Sequence, residues 1–402
     1  MGEIGVTPDV YFDLAMREIE ILCEQDSNCL LRPLVTFYVG GGTPSLIQPA
    51  LYQRLYEYVS SLFRIDESLE WTLEVNPGTL NEKRTTDNGQ RTIDNRKRAP
   101  SNQTLTTGIE HEAQQRNKLE DFLALGVNRL SIGVQSFSDE TLRRLGRAHR
   151  SAETRALLDS LRQGKFQKTA RRPFLPGELI WAIDLIFGAP GETLDQWSAD
   201  LDEAVAYRPH HVSIYGMTVH EGTPFADLRR SGRLDLPDEE TQREMFLLAR
   251  RQLIAAGYEH YEISNYALPG FRSRHNERYW TGADYLGLGV AAHSYVGGVR
   301  WWNPTDVGRY RESLEAGRLP RRVEPPPEGR ARLGEQVMLG LRRLEGIDLA
   351  ALRSRTGEDL ASAYAAEIAG LAEAGLIEIA DGKLRLTEEG LLVADAVMAR
   401  FF

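Results

Sequence analysis

The sequence contains very little cysteine, since only Cys23 and Cys29 occur among its 402 residues. Two cysteines six positions apart do not form a disulfide framework in a chain of this size, and their spacing matches none of the cysteine metal signatures. A cluster that needs three thiolates also exceeds what two cysteines supply. The count therefore excludes a disulfide-rich fold and, in the sequence as it stands, a three-cysteine iron–sulfur centre.

Long apolar runs and an excess of positive charge are also lacking. No apolar run approaches the roughly 18 residues that a membrane span requires, and the start MGEIGV lacks the basic-then-apolar order of a secretory signal. The formal net charge is −10, which argues against a general nucleic-acid binder. We therefore expect a cytoplasmic protein without a membrane span and without a nucleic-acid partner.

Short β-branched runs, each followed by a segment of helical period, recur through the first two thirds of the chain. Parallel strands need crossover connections, so the alternation predicts a parallel sheet. Spacing alone does not separate an incomplete barrel from a doubly wound sheet. The predicted strands are 35–40, 71–76, 129–135, 179–188, 211–218 and 261–264.

Two stretches interrupt this alternation. Residues 81–118 contain three large aliphatic residues and no aromatic residue, and are rich in Thr, Asn, Gln and Arg. A segment of this composition cannot bury enough apolar surface to order itself. Residues 163–177 are basic, as expected of a solvated loop. The sequence therefore predicts a disordered insertion at 81–118 and a loop insertion at 163–177.

The pattern changes from about residue 322. The run PPPEG at 325–329 indicates a linker, which we assign to 321–330. Predicted helices at 331–342, 349–355 and 360–374 precede a predicted hairpin of 376–379 with 384–387. Three helices and a small hairpin are typical of a winged-helix domain. The third helix has no Arg or Lys, so a structural or partner-docking role is expected rather than DNA binding.

Glycines and polar side chains stand at the ends of the predicted strands. Glycines let backbone N–H groups approach a ligand closely, and the carboxyl ends of barrel strands are where binding sites lie. A buried carboxylate or amide is costly unless it is paired or used. The alternative is a tight turn without a ligand. The groups that together predict one pocket are the glycine loop 40–44, the strand-end residues Glu74, Gln135 and Asp184, and Arg147 and His149 just past the helix after Gln135.

Ten motifs resemble a known family. GGGTPS, LEVNPGTL, RLSIGVQSF, LGRAH, DLIFGAPGET and HVSIYGMTVHEGTPF, in this order, resemble the radical S-adenosylmethionine (SAM) proteins of the oxygen-independent coproporphyrinogen III oxidase group. Within that group, YEISNYA, HNERYW, YLGLGVAAHSY and RWWN are similar to the HemW-type heme chaperones. The resemblance runs from about Tyr11 to the C-terminus and leaves out the two insertions.

The resemblance implies two binding sites. It assigns SAM to Gly41, Gly42, Thr43, Glu74, Gln135, Arg147 and Asp184, in agreement with the pocket that polarity and strand-end position suggest. It assigns heme to His275 of HNERYW, and imidazole is a common axial ligand of heme iron. Tyr279, Trp280 and Tyr285 would pack the macrocycle, and His293 is a second candidate.

One part of the family pattern has no match. The family begins with a strand and a C-x3-C-x2-C loop that holds a [4Fe-4S] cluster, whereas Cys23 and Cys29 fall in another element with another spacing. A cluster is thus expected for the family, but its ligands are absent from this chain. We expect a truncated gene model, and the alternative is a degenerate member that keeps heme or nucleoside binding. No catalytic residue is assigned.

These observations combine into one expectation. The fold class is α/β, with an incomplete (β/α) radical-SAM-type barrel over 1–320, the linker 321–330 and a winged-helix-like domain over 331–402. The expected function is a HemW-like chaperone that binds heme and delivers it to a client protein. The alternatives are a coproporphyrinogen III oxidase-like enzyme and an inactive scaffold that acts through the C-terminal domain. A homodimer, and peripheral membrane contact through a client, stay open.

Overall fold

The computed structural model describes residues 6–25, 32–80, 118–166 and 179–402. Cys29, most of the predicted insertion 81–118 and most of the predicted loop 163–177 lie outside the described residues. Within the described ranges, no helix combines the length and the apolarity needed to cross a membrane.

A curled half-barrel sheet organises the described part of the chain. Its seven strands there follow the order β1-β2-β3-β4-β5-β7-β6, and β1 to β5 are parallel neighbours. The predicted incomplete α/β barrel is therefore confirmed. The strands are β1 (Leu34–Val39), β2 (Ile65–Val75), β3 (Arg129–Gln135), β4 (Ile180–Phe187), β5 (His211–Gly216), β6 (Glu259–Glu262) and β7 (Asn265–Ala267).

The sixth predicted strand, 261–264, differs from the structure. The chain there forms an antiparallel hairpin of β6 and β7, and β7 pairs with β5. β6 still runs in the direction of β5, as expected after a helical crossover, but β7 lies between them. The reason is local, since only Ile263 and Ser264 separate the two strands and so short a connection makes a hairpin.

Helices cover the convex face of the sheet because each strand places apolar side chains there. Along β3, Leu130, Ile132 and Val134 are buried in the main core, while the alternate residues face the concave side. The eight helices of this part among the described residues are α1 (Pro8–Gln25), α2 (Pro49–Leu62), α3 (Lys118–Leu125), α4 (Asp139–Arg144), α5 (Ser151–Arg162), α6 (Leu194–Tyr207), α7 (Pro224–Arg230) and α8 (Glu239–Ala255).

A second, antiparallel sheet follows the half-barrel. Its strand order is β10-β9-β8, and β10 lies inside the segment predicted as the linker 321–330. That segment is therefore not only a connection, because three of its residues pair with β9. The elements are α9 (Arg274–Trp280), β8 (His293–Val296), β9 (Val299–Trp302), α10 (Val307–Glu315) and β10 (Arg322–Glu324).

The C-terminal elements have a separate core. The third predicted helix, 360–374, is broken at Tyr364, whose hydroxyl donates to the carbonyl oxygens of Arg330 and Phe401, both at 2.7 Å. The predicted hairpin forms, and β11 adds a third strand to it. The elements are α11 (Gly329–Leu341), β11 (Ile347–Asp348), α12 (Leu349–Thr356), α13 (Leu360–Ala363), α14 (Ala365–Glu373), β12 (Ile377–Ala380), β13 (Lys383–Leu386), α15 (Glu388–Leu392) and α16 (Ala394–Met398).

Candidate ligand-binding site

A cavity of about 400 Å³ occupies the concave side of the half-barrel. Strand register builds it, because Thr72 pairs with Arg129, and Asp184 pairs with both Gly133 and Ser213. Side chains two residues apart on each strand point the same way, so neighbouring strands present stacked rows of polar groups. A cavity of this volume lies in the range of small-molecule sites.

The glycine loop after β1 closes one end of this cavity. Gly41 and Gly42 have φ values of +84° and +66°, a region that favours glycine. The backbone N–H of Gly41 donates to Glu74 Oε2 over 3.0 Å. At Gly40, a Cβ atom would lie 2.6 Å from Glu74 Oε1, so a side chain there would displace the carboxylate. The loop and Glu74 are therefore fitted to each other.

Tyr38 is a site residue that the sequence did not indicate. Its hydroxyl donates to Glu74 Oε1 over 2.6 Å. Burial, followed by the charge of Glu74, raises the pKa of Tyr38 well above its usual value, so the phenol stays protonated and remains a donor. The sequence feature that could have identified Tyr38 is its position on β1. It lies two residues before Gly40, on the same side of the strand as Thr36.

Asp184 presents an unused acceptor to the cavity. Ser131 Oγ donates to Asp184 Oδ2 over 3.0 Å, whereas Oδ1 has no hydrogen-bond partner among the described residues. Burial raises the pKa of Asp184 to about 6, against the lowering effect of hydrogen bonds from Ser213 and Ser131. A ligand hydroxyl that donates to Oδ1 would satisfy the orphaned atom.

Gln135 reaches the cavity through a distorted backbone. It has φ of +65°, which is uncommon for a residue with a side chain, and it lies at a register shift between β3 and β4. The backbone two residues further on is bonded to α6, because the N–H of Phe137 donates to Oδ1 of the buried Asp200 over 2.9 Å. The distortion turns the side chain of Gln135 back over Gly133.

The structure brings most of the predicted site residues together. Gly41 does not itself line the cavity, but its N–H donates to Glu74, which does. The residues that sequence reasoning missed line the same cavity on the concave face of the sheet: Tyr38, Thr72, Arg129, Ser131, His211 and Ser213. The predicted residues that line the cavity are Gly42, Thr43, Glu74, Gln135, Arg147 and Asp184.

His275 is not among the residues that line the cavity. It lies in α9, and its ring stacks on that of Tyr38 at 4.6 Å between centroids. Nδ1 is 3.1 Å from Thr36 Oγ1, and Nε2 is 2.9 Å from the hydroxyl of Tyr279. Burial lowers the pKa of His275 to about 4, so the imidazole is neutral at physiological pH. Tyr38 thus connects His275 with the Glu74 side of the cavity.

Aromatic rings surround the other side of His275. Tyr279 packs edge-on against Tyr285 at 4.6 Å, and Tyr285 lies 6.3 Å from Tyr295 of β8. Trp280 lies under the guanidinium of Arg342 at 4.6 Å. His293, the second candidate, is exposed and stacks on Trp302 at 6.0 Å. The structure therefore places the predicted Tyr279, Trp280 and Tyr285 in one aromatic group.

Comparisons with known proteins agree with this architecture. The radical SAM superfamily matches residues 11–204, and the HemN C-terminal domain matches residues 329–393. A protein named heme chaperone HemW from Mycobacterium tuberculosis is 31% identical to this chain over 98% of it and 86% of the relative. The chain belongs to the HemW-type family of radical SAM proteins.

Two further relatives fit this family. The heme chaperone HemW of Bacillus subtilis is 28% identical over 92% of this chain and 85% of its own length. The solved structure of Escherichia coli HemN, described as a coproporphyrinogen III oxidase and radical SAM enzyme, superposes with a TM-score of 0.71. It covers 98% of this chain and 82% of the HemN chain at 22% identity, which shows a shared fold.

The family implies SAM, and the cavity fits such a ligand. The orphaned Asp184 Oδ1 can accept from a hydroxyl, and the positive-φ glycines leave backbone room for a polar head group. The amide of Gln135 and the guanidinium of Arg147 line the same space. The chain therefore has acceptors for a ribose and donors for a carboxylate in one cavity.

The family also implies a [4Fe-4S] cluster, and here the residues do not fit. The sequence has two cysteines where three thiolates are needed, and Cys23 lies within α1 rather than in a loop after a strand. Among the described residues, no group of three or more His, Cys, Asp or Glu side chains is placed to hold a metal ion.

Proposed function

We propose that this chain is a heme-binding chaperone that takes up heme beside α9 and passes it to a client protein in the cytoplasm. The observation that carries the proposal is a neutral histidine, His275, next to an aromatic group, in a chain that is 31% identical over 98% of its length to a protein named heme chaperone HemW. Neutral imidazole is the form that ligates heme iron.

We further propose that His275 is the iron ligand and that Tyr279, Trp280 and Tyr285 contact the macrocycle. Ligation requires one ring nitrogen to leave its present partner, and Nε2 is the candidate because its partner, Tyr279, lies on the same short helix. The exposed His293 is a second candidate ligand. Because His275 stacks on Tyr38, ligation would also affect the ring that holds Glu74.

SAM is proposed to bind in the cavity. The assigned residues share hydrogen-bonding groups that face the glycine-loop end: acceptors at Glu74 and Asp184, donors at Gln135 and Arg147, and backbone N–H groups in the loop. In this proposal SAM supports folding or regulates heme binding, and porphyrin chemistry is not required. The full proposed set is Gly41, Gly42, Thr43, Glu74, Gln135, Arg147 and Asp184.

The oxidase alternative has no observation of this structure in its favour. The likeness to HemN is 22% in sequence and shows the fold alone. The C-terminal domain, proposed over 331–402, is common to both readings because residues 329–393 match the HemN C-terminal domain. The heme chaperone therefore remains the conclusion.

Titration of the purified chain with hemin tests the assignment by Soret absorbance. We expect His275→Ala to lose the coordinated spectrum and to weaken heme binding by at least about tenfold, because an axial ligand is removed. His220→Ala is the matched control, since His220 is exposed in the loop after β5. Equal spectra for the chain and for His275→Ala would refute ligation by His275, and loss in His293→Ala instead would transfer the role to His293.

A further inference from the structure

The floor of the cavity, which we define as Thr72, Arg129 and His211, contains three buried polar atoms that have no hydrogen-bond partner among the described residues. Arg129, His211 and Thr72 are 3%, 2% and 2% exposed, and all three line the cavity. Arg129 Nη2, His211 Nδ1 and Thr72 Oγ1 each lack a hydrogen-bond partner among the described residues. Buried polar groups are normally satisfied, so three orphaned atoms around one space require an explanation.

The imidazole of His211 is oriented as a donor towards this space. The hydroxyl of Tyr261 accepts from the backbone N–H of Ser273 over 3.4 Å and lies 2.9 Å from His211 Nε2. Its own proton is therefore available for Nε2. Burial, with the charge of Arg129 as a second cause, lowers the pKa of His211 well below its usual value, so the ring is neutral. A neutral ring that accepts at Nε2 carries its proton on Nδ1.

One nitrogen of the Arg129 guanidinium, Nη2, is available to a ligand in the cavity. Its Nη1 donates to the carbonyl oxygen of Phe271 over 3.2 Å and lies 3.6 Å from Glu70 Oε2. Glu70 is itself occupied, because its two oxygens accept from the backbone N–H groups of Arg274 and His275 at the start of α9. Glu70 therefore neutralises the guanidinium charge only in part, and Nη2 has no acceptor among the described residues.

The floor lies below the rim where SAM is proposed to bind. Thr72 precedes Glu74 by two residues on β2, and Ala182, which pairs with His211, precedes Asp184 by two residues on β4, so about 7 Å of strand separates the floor from the carboxylates of the rim. The carboxylates of Glu74 and Asp184 lie nearer the rim. Glu74 accepts from Tyr38 and Gly41, which limits its repulsion of a second anion. Ala182 pairs with His211, and its small side chain leaves room above the sheet.

We propose that Arg129, His211 and Thr72 form a second binding subsite, which takes an anionic oxygen group such as a carboxylate or a phosphate. Each of these three side chains can donate a proton, and together they suit two or three oxygen atoms with negative charge. Free small carboxylates or phosphates carry such a group, and so do the carboxylate side chains of heme. The subsite concerns the described cavity alone and does not depend on ligation of heme by His275.

Ligand-observed saturation-transfer NMR on the heme-free chain tests the subsite, with propionate and methylphosphonate as probes. We expect at least one probe to bind. Thr72→Val keeps the shape of the side chain and removes the donor, and we expect it to weaken binding about tenfold, as for a hydrogen bond to a charged group. Arg129→Gln should weaken binding at least as much. The matched control is Thr154→Val, which removes an equally buried, unpartnered hydroxyl of α5 that does not line the cavity.

Two results would overturn the proposal. The first is the absence of binding by both probes to the unmodified chain, which would mean that the floor holds only water. The second is unchanged binding in both Thr72→Val and Arg129→Gln. A final arm separates the sources by comparing heme with its dimethyl ester. If heme binds more tightly than its dimethyl ester and Thr72→Val removes the difference, the subsite holds the carboxylates of heme. If heme and the ester bind equally while propionate or methylphosphonate still binds, the subsite holds a free small anion.

Discussion

At the scale of single residues, Tyr38 is the point where the two proposed sites meet. Its hydroxyl holds Glu74 on the cavity side, and its ring stacks on His275 on the other side. Aromatic stacking and a hydrogen bond to a carboxylate are both sensitive to small displacements. Tyr38 therefore links His275 to Glu74 through one ring stack and one hydrogen bond.

The neutral state of His275 leads to a prediction about pH. Since burial lowers its pKa from 6.5 to about 4, the lone pair stays available for iron down to about pH 5. We expect hemin affinity at pH 5.5 to be within about twofold of that at pH 7.5, measured by titration beside His275→Ala at each pH. A tenfold decrease at pH 5.5 would contradict a buried ligand.

The same shift has a consequence for stability. Between about pH 6.5 and pH 4 the unfolded chain takes up a proton on this side chain that the folded chain does not. The contribution of His275 to the free energy of unfolding is therefore fully present above pH 6.5 and decreases as the pH falls towards 4.

In the proposed heme complex, the hydroxyl of Tyr279 would compete with iron for His275 Nε2. Its hydroxyl lies 2.9 Å from that nitrogen, and a hydrogen bond of this kind contributes about 1 kcal/mol. We expect Tyr279→Phe to bind hemin about fivefold more tightly and to release it more slowly to apomyoglobin, measured by stopped-flow absorbance. Faster release from the variant would show that the hydroxyl holds the macrocycle instead.

At the scale of elements, α6 supports the distorted end of β3. Asp200, on the buried side of α6, accepts from the N–H of Phe137, and burial raises its pKa to about 6. The carboxylate thus binds the backbone two residues after Gln135, and Gln135 itself has a positive φ. We therefore expect the position of the Gln135 amide in the cavity to depend on α6, a helix that does not itself line the cavity.

This support can be tested by substitution at Asp200. Asp200→Ala leaves the N–H of Phe137 without its acceptor, and we expect a loss of about 2 kcal/mol in the free energy of unfolding and weaker SAM binding. Asp200→Asn keeps an acceptor oxygen and should lose less. Asp202→Ala, on the exposed side of the same helix, is the control. Denaturant unfolding and calorimetric titration with SAM provide the two measurements, and equal losses for Asp200→Ala and Asp202→Ala would rule the support out.

At the scale of the whole molecule, the C-terminal domain docks on the half-barrel beside α9. The N–H of Ile263 donates to the carbonyl oxygen of Arg342 over 3.0 Å, and the N–H of Leu344 donates to that of Tyr261 over 3.2 Å. The guanidinium of Arg342 lies over Trp280, which follows Tyr279 in α9. Exposed ion pairs between α8 and Glu388 and Glu389 add little at a surface.

Arg342 should therefore matter more than the surface ion pairs. We expect Arg342→Ala to lower the free energy of unfolding by about 1–2 kcal/mol and to weaken hemin binding a few-fold, because Trp280 loses its packed cation. Arg243→Ala breaks an exposed pair and should change stability by less than about 0.5 kcal/mol. Chemical denaturation of both variants compares them, and a larger effect of Arg243→Ala would reverse this account of the interface.

The alternating strands, the helical crossovers and the groups at the strand ends can be predicted from the sequence. These depend on periods of two and 3.6 residues and on glycine, which are local properties that a sequence displays directly. The strand predicted at 129–135 has the bounds of β3, and Glu74, Gln135 and Asp184 line one cavity because parallel strands end at one edge.

Tertiary structure alone decided which distant residues meet. The Thr36 hydroxyl contacts His275 across 239 positions of chain, and the orphaned donors of Arg129 and His211 come together through register across three strands. The hydroxyl of Tyr364 likewise donates to the carbonyl oxygen of Phe401, 37 positions further along the chain. No local period encodes such pairings, because they follow from packing in three dimensions. That is the physical reason why the rim of the cavity was predictable and its floor was not.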